Sequence, residues 1–432
     1  MNSFRIVAVL LVSAATAFAA EGPPAAVTIR NDSLLANIQN DGLYRLQFPR
    51  TGWVLEGKLP QPIGHVVTRH ASDEIGAFHE ITVSFLDGGR TASIRVYENL
   101  PVAMLIDTWD KAGANEDPFP TFQALPPDLM RFSYQRKTFG PYEFGALGAE
   151  GPWVLFDKQT NAIVLSPADH FQVSQMEQAD SGGANSRIRQ DIGVLPQRFA
   201  HKTLIAFGKG INNAFMTWGN ALLALGHKHR IPSDAGIVLS RLGYWTDNGA
   251  TYYYKYDSQL GYTGTLLAVR EEFKQLGIPL GYMQLDSWWY PKGAEDRWDA
   301  KGSDPNFGQY VYRAAPDLFP RDVAGFHQQI GLPLVTHARW ISPASPYRTQ
   351  FKMSGNVAVD PAYWKQTADY LHKAGVITYE QDWLDVNAQT DLTLHDPQSF
   401  LGSMSDAMRE KRMSIQYCMP LPSHYMASTL YQ

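Results

Sequence analysis

The feature that most constrains this chain is a change of period near its middle. Between residues 24 and 211, short runs rich in β-branched and aromatic residues, such as Ile81-Thr82-Val83-Ser84-Phe85 and Ala92-Ser93-Ile94-Arg95-Val96-Tyr97, recur between Gly, Pro, Asn and Asp. Short strands punctuated by turn residues predict a β-sandwich. From residue 236 onward, strand-like runs at 236–245, 279–285, 332–340, 376–383 and 413–418 alternate with helical periods at 263–276, 322–330, 361–374 and 398–411. That alternation is the signature of parallel βα units. Apolar residues at helical spacing over 212–225 place a helical linker, 212–235, between the two halves. A length of 432 residues with 44% hydrophobic content is enough for two cores. The expected architecture is therefore multidomain: a β-sandwich over 24–211, then a (β/α)8 TIM-type barrel over 236–432 of which about five βα units are present. A doubly wound open sheet is the lesser alternative, because no Gly-rich phosphate loop follows the first strand.

The first 19 residues read as a secretory signal, with Arg5 before an apolar run over 6–12 and a small-residue end at Ala17-Phe18-Ala19. The expectation is an exported protein, periplasmic or extracellular, with no membrane association once the signal is removed. A formal charge of −5 and the absence of any run of Lys or Arg exclude the electrostatic footprint of a nucleic-acid partner. The single cysteine, Cys418, excludes an internal disulfide and reads as a small buried hydrophobe. Among the 12 histidines, neither His227 with His229 nor His65 with His70 makes a ligand set with nearby carboxylates, and His337, though it could face the pocket from the third strand, reads as a structural residue. No metal and no cofactor are expected.

In a barrel, function gathers where strands end. Those ends read Tyr244-Trp245-Thr246-Asp247, Gln284-Leu285-Asp286-Ser287-Trp288, His337-Ala338-Arg339-Trp340 and Glu380-Gln381-Asp382-Trp383. Each joins a carboxylate or a cation to a tryptophan. Indole faces stack on the apolar faces of sugar rings, while carboxylates and Arg take hydroxyls in directional hydrogen bonds. The candidate binding residues are thus Trp245, Asp247, Asp286, Trp288, Arg339, Trp340, Glu380 and Trp383, and the expected partner is an oligosaccharide or glycoside.

Several stretches resemble the retaining α-glycosidase clan that contains α-galactosidases, raffinose synthases and α-glucosidases (glycoside hydrolase families 27, 31 and 36). They are Tyr282-Met283-Gln284-Leu285-Asp286-Ser287-Trp288, Leu318-Phe319-Pro320-Arg321-Asp322, Arg339-Trp340-Ile341-Ser342-Pro343 and Ala374-Gly375-Val376-Ile377-Thr378-Tyr379-Glu380-Gln381-Asp382. The resemblance implies that Asp382 is the catalytic nucleophile, that Asp286 bonds substrate hydroxyls, and that Trp288 and Trp340 line the donor subsite. A retaining glycosidase needs one ionised and one protonated carboxyl group about 5 to 5.5 Å apart.

The sequence departs from that clan in two places. Two positions before the nucleophile the clan usually carries Lys, and here the residue is Glu380. A carboxylate there raises the pKa of a neighbouring acid, and side chains at i and i+2 of a strand share a face, so Glu380 and Asp382 would enter the pocket as a pair. The clan's general acid/base follows a sixth strand, whereas the sequence in hand stops after the fifth, as a truncated piece would. Asp385 and His424 are its nearest local substitutes. Two functions follow: an exported glycoside hydrolase cleaving an α-linked glycoside with retention, or a non-catalytic carbohydrate-binding protein on a degenerate glycosidase barrel.

Overall fold

The computed structural model describes residues 26–134, 147, 149–178, 182–246, 255–296 and 307–431. The signal segment and Asp247 lie outside the described residues.

The N-terminal half forms two antiparallel sheets. One has seven strands, in spatial order Val27–Arg30, Leu35–Ile38, Leu43–Phe48, Trp53–Lys58, Thr121–Ala124, Ala184–Ile188 and Ser174–Gln178. The other has eight, in the order Met130–Ser133, Trp153–Phe156, Asn161–Pro167, Phe199–Lys209, Val102–Trp109, Arg90–Tyr97, Ala77–Phe85 and Ile63–Ser72. Alternation drives the sandwich. In Leu43–Phe48, for example, Tyr44, Leu46 and Phe48 are buried and the residues between them are partly exposed. These side chains meet Ile81, Val83, Ile94 and Leu105 of the facing sheet in one apolar cluster. The strand Val102–Trp109 breaks the alternation, with every residue but Thr108 buried, because the back of its sheet is covered as well.

Part of that cover is α1 (Ile211–Leu225), the helix expected as a linker. It packs on the sandwich: Ala214 joins a cluster with Val154, Ala162 and Val164, and the Trp218 indole donates to Ser166 Oγ at 2.8 Å. The α/β half supplies the rest. Phe78, Tyr97, Val102, Met104 and Ile106 of the sandwich belong to the same apolar cluster as Trp288, Trp289 and Phe400 from beyond residue 236.

That second half contains five parallel strands, β1 (Gly243–Trp245), β2 (Tyr282–Leu285), β3 (Leu334–Ala338), β4 (Val376–Gln381) and β5 (Ser414–Tyr417), lying side by side in chain order. Such winding in one direction has no reversal of strand order, which a doubly wound sheet requires. The described residues form this five-stranded sheet and not a closed eight-stranded barrel. Its main helices are α2 (Gly261–Gln275), α3 (Asp322–Ile330), α4 (Pro361–Lys373), α5 (Asp396–Glu410) and α6 (Pro422–Ala427). The helix α4 starts where the sequence marks it, with the Asp360 carboxylate accepting from Ala362 N at 2.9 Å and Pro361 in the first turn.

One expected strand is much shorter than its sequence suggests. Within 236–245 only Gly243–Trp245 is extended, because Leu239 and Ser240 turn back to bond the Gly236 carbonyl at 3.1 and 3.0 Å, making the helical turn Ile237–Ser240. Among the described residues no helix is long and apolar enough to cross a membrane.

Candidate functional site

Parity along the parallel strands decides which side chains meet. Gln284 and Asp286 on β2, His337 and Arg339 on β3, Glu380 and Asp382 on β4, and Gln416 and Cys418 on β5 alternate in step. The strands β2 and β4 are not neighbours, since β3 runs between them. Yet the Gln284 amide nitrogen reaches both Asp286 Oδ2, at 3.1 Å, and Glu380 Oε2, at 3.0 Å. Side chains two strands apart meet only over the concave face of a curved sheet. The amide is oriented by Thr246, whose backbone N–H donates to Gln284 Oε1 at 3.2 Å. The Thr246 hydroxyl then accepts from Asp286 N at 3.1 Å and from the Trp288 indole at 2.9 Å, tying the ends of β1 and β2 together.

His337 lies among the acids. Its Nε2 is 2.9 Å from Asp382 Oδ2, and its Nδ1 is 3.2 Å from the Tyr290 hydroxyl, which also accepts from Arg339 N at 3.0 Å. Asp382 is further held by the Trp383 N–H, which donates to Oδ1 at 2.7 Å. Glu380 accepts from Gln284 and, at 3.2 Å, from the Gln416 amide. Burial alone would lower the imidazole pKa, but Asp286, Asp382 and Glu380 together outweigh it and raise His337 to about 9. Burial is also the largest influence on Glu380 and, with Asp286 and Asp382, pushes it up to about 7 despite the opposing His337. For Asp382 burial is overcome by the hydrogen bond and charge of His337, so its carboxyl stays below the usual range. The result is a fixed, ionised carboxylate at the end of β4, with the Asp286 side chain at the end of β2.

The expected residues divide. Asp286, Arg339, Glu380 and Asp382 converge at these strand ends, 5%, 5%, 3% and 8% exposed, so the carboxylates are nearly covered. Trp340 and Trp383 stand edge to face with ring centroids 5.4 Å apart, and the Arg339 guanidinium lies 5.7 Å from each ring. Trp383 turns the chain sharply, at φ 64°, immediately after Asp382. Trp245 is half exposed at the end of β1. Trp288 does not line a subsite: fully buried, it stacks between Tyr262 at 4.5 Å and Phe319 at 5.7 Å, because the chain after Asp286 turns the indole into the core.

Neither proposed substitute for an acid/base is suited to the work. His424 is buried, its Nδ1 accepts from Leu421 N at 3.0 Å, and burial pushes it down to about 4, so it is neutral. It lines a cavity of about 350 Å³ at the seam between the sandwich and the α/β half, a cavity whose lining includes neither Asp286 nor Asp382. Asp385 is buried, beyond the turn made by Trp383. Cys418 is only half-buried; burial and the nearby Asp382 and Glu380 carboxylates push its pKa far up, so it is a thiol and not a thiolate. Sequence reasoning misses Thr246 and Gln284, and it reads His337, which it can place facing the pocket, as a structural residue. The i, i+2 spacing of Gln284 and Asp286 on one strand is the available signal for Gln284. Among the described residues no group of three or more His, Cys, Asp and Glu side chains is arranged to hold a metal ion.

This arrangement, with the sandwich before it, is similar in fold to solved glycosidases, α-galactosidases among them. The chain is similar to an α-galactosidase from Lactobacillus brevis at 12% identity and a TM-score of 0.56, over 91% of this chain and 70% of that one. It is similar to a β-arabinopyranosidase at 11% identity and a TM-score of 0.55, over 94% and 68% of the two chains. A third likeness is to a family 36 α-galactosidase from Geobacillus stearothermophilus bound to 1-deoxygalactonojirimycin, at 12% identity and a TM-score of 0.54, over 94% and 77%. No family model matches the sequence, and no curated protein matches it either.

Proposed function

We propose that the protein is an exported glycoside hydrolase that cleaves an α-linked glycoside by a retaining double displacement, on a domain built to the (β/α)8 plan. The observation that carries this reading is the pair of carboxylates at the ends of β2 and β4, one of them held ionised in a nearly dry setting. Asp382 attacks the anomeric carbon and forms the glycosyl ester as the bond from that carbon to the leaving oxygen breaks, an activated aryl group departing as its phenolate. Water then cleaves the ester. A fixed anion whose pKa lies low is charged for the attack. Asp286 takes substrate hydroxyls, and Trp383, partly exposed and braced by the buried Trp340 and Arg339, offers a sugar ring an aromatic surface. The likeness to glycosidase folds supports the class of reaction, while the residues carry the argument for mechanism. Export rests on the segment Arg5 to Ala19.

The test is hydrolysis of an activated aryl α-galactoside, followed by proton NMR of the first-formed sugar. The expected product has the α configuration, and a β product would refute retention. Sugar binding without turnover would favour the non-catalytic reading, which draws on the enclosure of both Asp382 oxygens by His337 and the Trp383 N–H.

A further inference from the structure

Three carboxylates and one imidazole share a small buried space, and the geometry says which of them holds the others. His337 is paired in register with Glu380 across β3 and β4, and its ring reaches past Glu380 to Asp382. The groups facing it are Asp382 and Glu380 from β4, Asp286 from β2, Tyr290 from the segment after β2, and Arg339 two residues along its own strand. Just past β5, Cys418 lies near enough to Asp382 and Glu380 for their charges to raise its thiol. Buried carboxylates this close raise one another's pKa unless a cation stands among them. The Arg339 guanidinium lies against Trp340 and Trp383 and meets the Phe307 carbonyl at 3.2 Å, while His337 is in contact with Asp382 at 2.9 Å. The Tyr290 hydroxyl accepts one backbone N–H and keeps a second lone pair, so a protonated Nδ1 has an acceptor at 3.2 Å just as Nε2 has Asp382 at 2.9 Å.

We propose that His337 is a positioning residue that holds a positive charge beside Asp382, keeping that carboxylate ionised and aimed, with Asp286 and Glu380 as the further acids gathered around it. This rests on the reading of Asp382 as nucleophile for its kinetic consequence, but not for the ionisation itself. The strand that holds the cation is immaterial if its charge is what matters. A Lys at position 380, on the same face as Asp382, would then replace it.

Two measurements on the full chain test this. In ¹⁵N-histidine NMR, the ring assigned by its loss in His337→Gln should be an imidazolium at pH 7, with both nitrogens protonated. In Asp382→Asn its midpoint should fall by at least one pH unit. A neutral ring at pH 7, or a midpoint indifferent to Asp382→Asn, overturns the proposal without reference to any activity. In kinetics on an activated aryl α-galactoside, His337→Gln should lower kcat at least a hundredfold and move the acidic limb of kcat/KM to higher pH. The double variant His337→Gln/Glu380→Lys should recover at least tenfold. An unmoved limb in a variant that melts like the wild type, or no recovery in a folded double variant, would show that His337 only fills space. Absence of turnover in the wild type would sink the hydrolase reading and leave the NMR result to decide this one.

Discussion

At the residue scale, function turns on the difference between Asp382 and Asp286. Asp382→Asn keeps the shape and most hydrogen bonds but removes the charge that forms the ester. Turnover of an aryl α-galactoside should fall by about 10³-fold or more, a loss of roughly 4 kcal/mol in transition-state stabilisation. Added azide should partly restore it and give a glycosyl azide of inverted configuration. Asp286→Asn should weaken kcat/KM without anion rescue, because hydroxyl binding acts in ground and transition states alike; recovery with azide would reverse the two assignments. Protonation carries a further consequence. The folded state raises Glu380 from 4.5 to about 7 and His337 from 6.5 to about 9. Between each unfolded and folded value the native protein binds the extra proton, so both groups make stability fall as pH rises. The stabilisation from His337 is complete below 6.5 and lost through about 9. Asp382, held low, acts in the opposite sense and loses its contribution only as pH falls through its folded value. Melting curves should therefore show a decline in Tm from pH 6.5 to 9 that is smaller in His337→Gln than in the wild type. Equal slopes would contradict the raised imidazole.

At the element scale, the strand ends are held by packing and by turns that few residues tolerate. Trp288 anchors the chain after β2, fully buried between Tyr262 and Phe319 with its indole bonded to Thr246. Trp288→Ala should destabilise by about 3–5 kcal/mol, as large-to-small changes of buried aromatics do. Chemical denaturation would measure it, and a loss under about 1 kcal/mol would show that the stack is dispensable. Gly375 ends α4 and starts β4 at φ 75°, and a Cβ there would meet the His327 ring at 2.4 Å. Gly375→Ala should cost at least the roughly 1–2 kcal/mol of a left-handed non-glycine residue. It should also slacken the strand that delivers Asp382, so activity should drop along with Tm.

At the scale of the whole molecule, the two halves are not independent. One apolar cluster runs from Phe78, Tyr97 and Met104 of the sandwich through Ala221 and Leu222 of α1 to Trp288 and Phe400. Polar contacts cross the same seam, with Ser423 N donating to Glu150 Oε2 at 2.8 Å and Gln172 Nε2 to the Ser423 carbonyl at 3.3 Å. A shared core couples the unfolding of its parts. Calorimetry should therefore show one transition for both halves, and two well-separated peaks would mean that the seam carries little energy.

The sequence by itself determined what depends on neighbours in the chain. Strand alternation in runs such as Ile81 to Phe85, helical period in 361–374, the cap at Asp360, and the placing of Asp286 and Asp382 at strand ends are all local consequences of sterics and solvent, readable a few residues at a time. Strands such as Leu43–Phe48 and Trp53–Lys58 escaped because Arg45, Gln47, Glu56 and Lys58 break up their apolar runs. Tertiary structure decided the rest. Whether Trp288 faces a sugar or the core, whether 212–225 links or packs, and which residue supplies the cation beside Asp382 depend on surfaces brought together from distant parts of the chain. His337 looks like any buried histidine until the curvature of the sheet sets three carboxylates around it, and burial then makes its charge strong enough to matter.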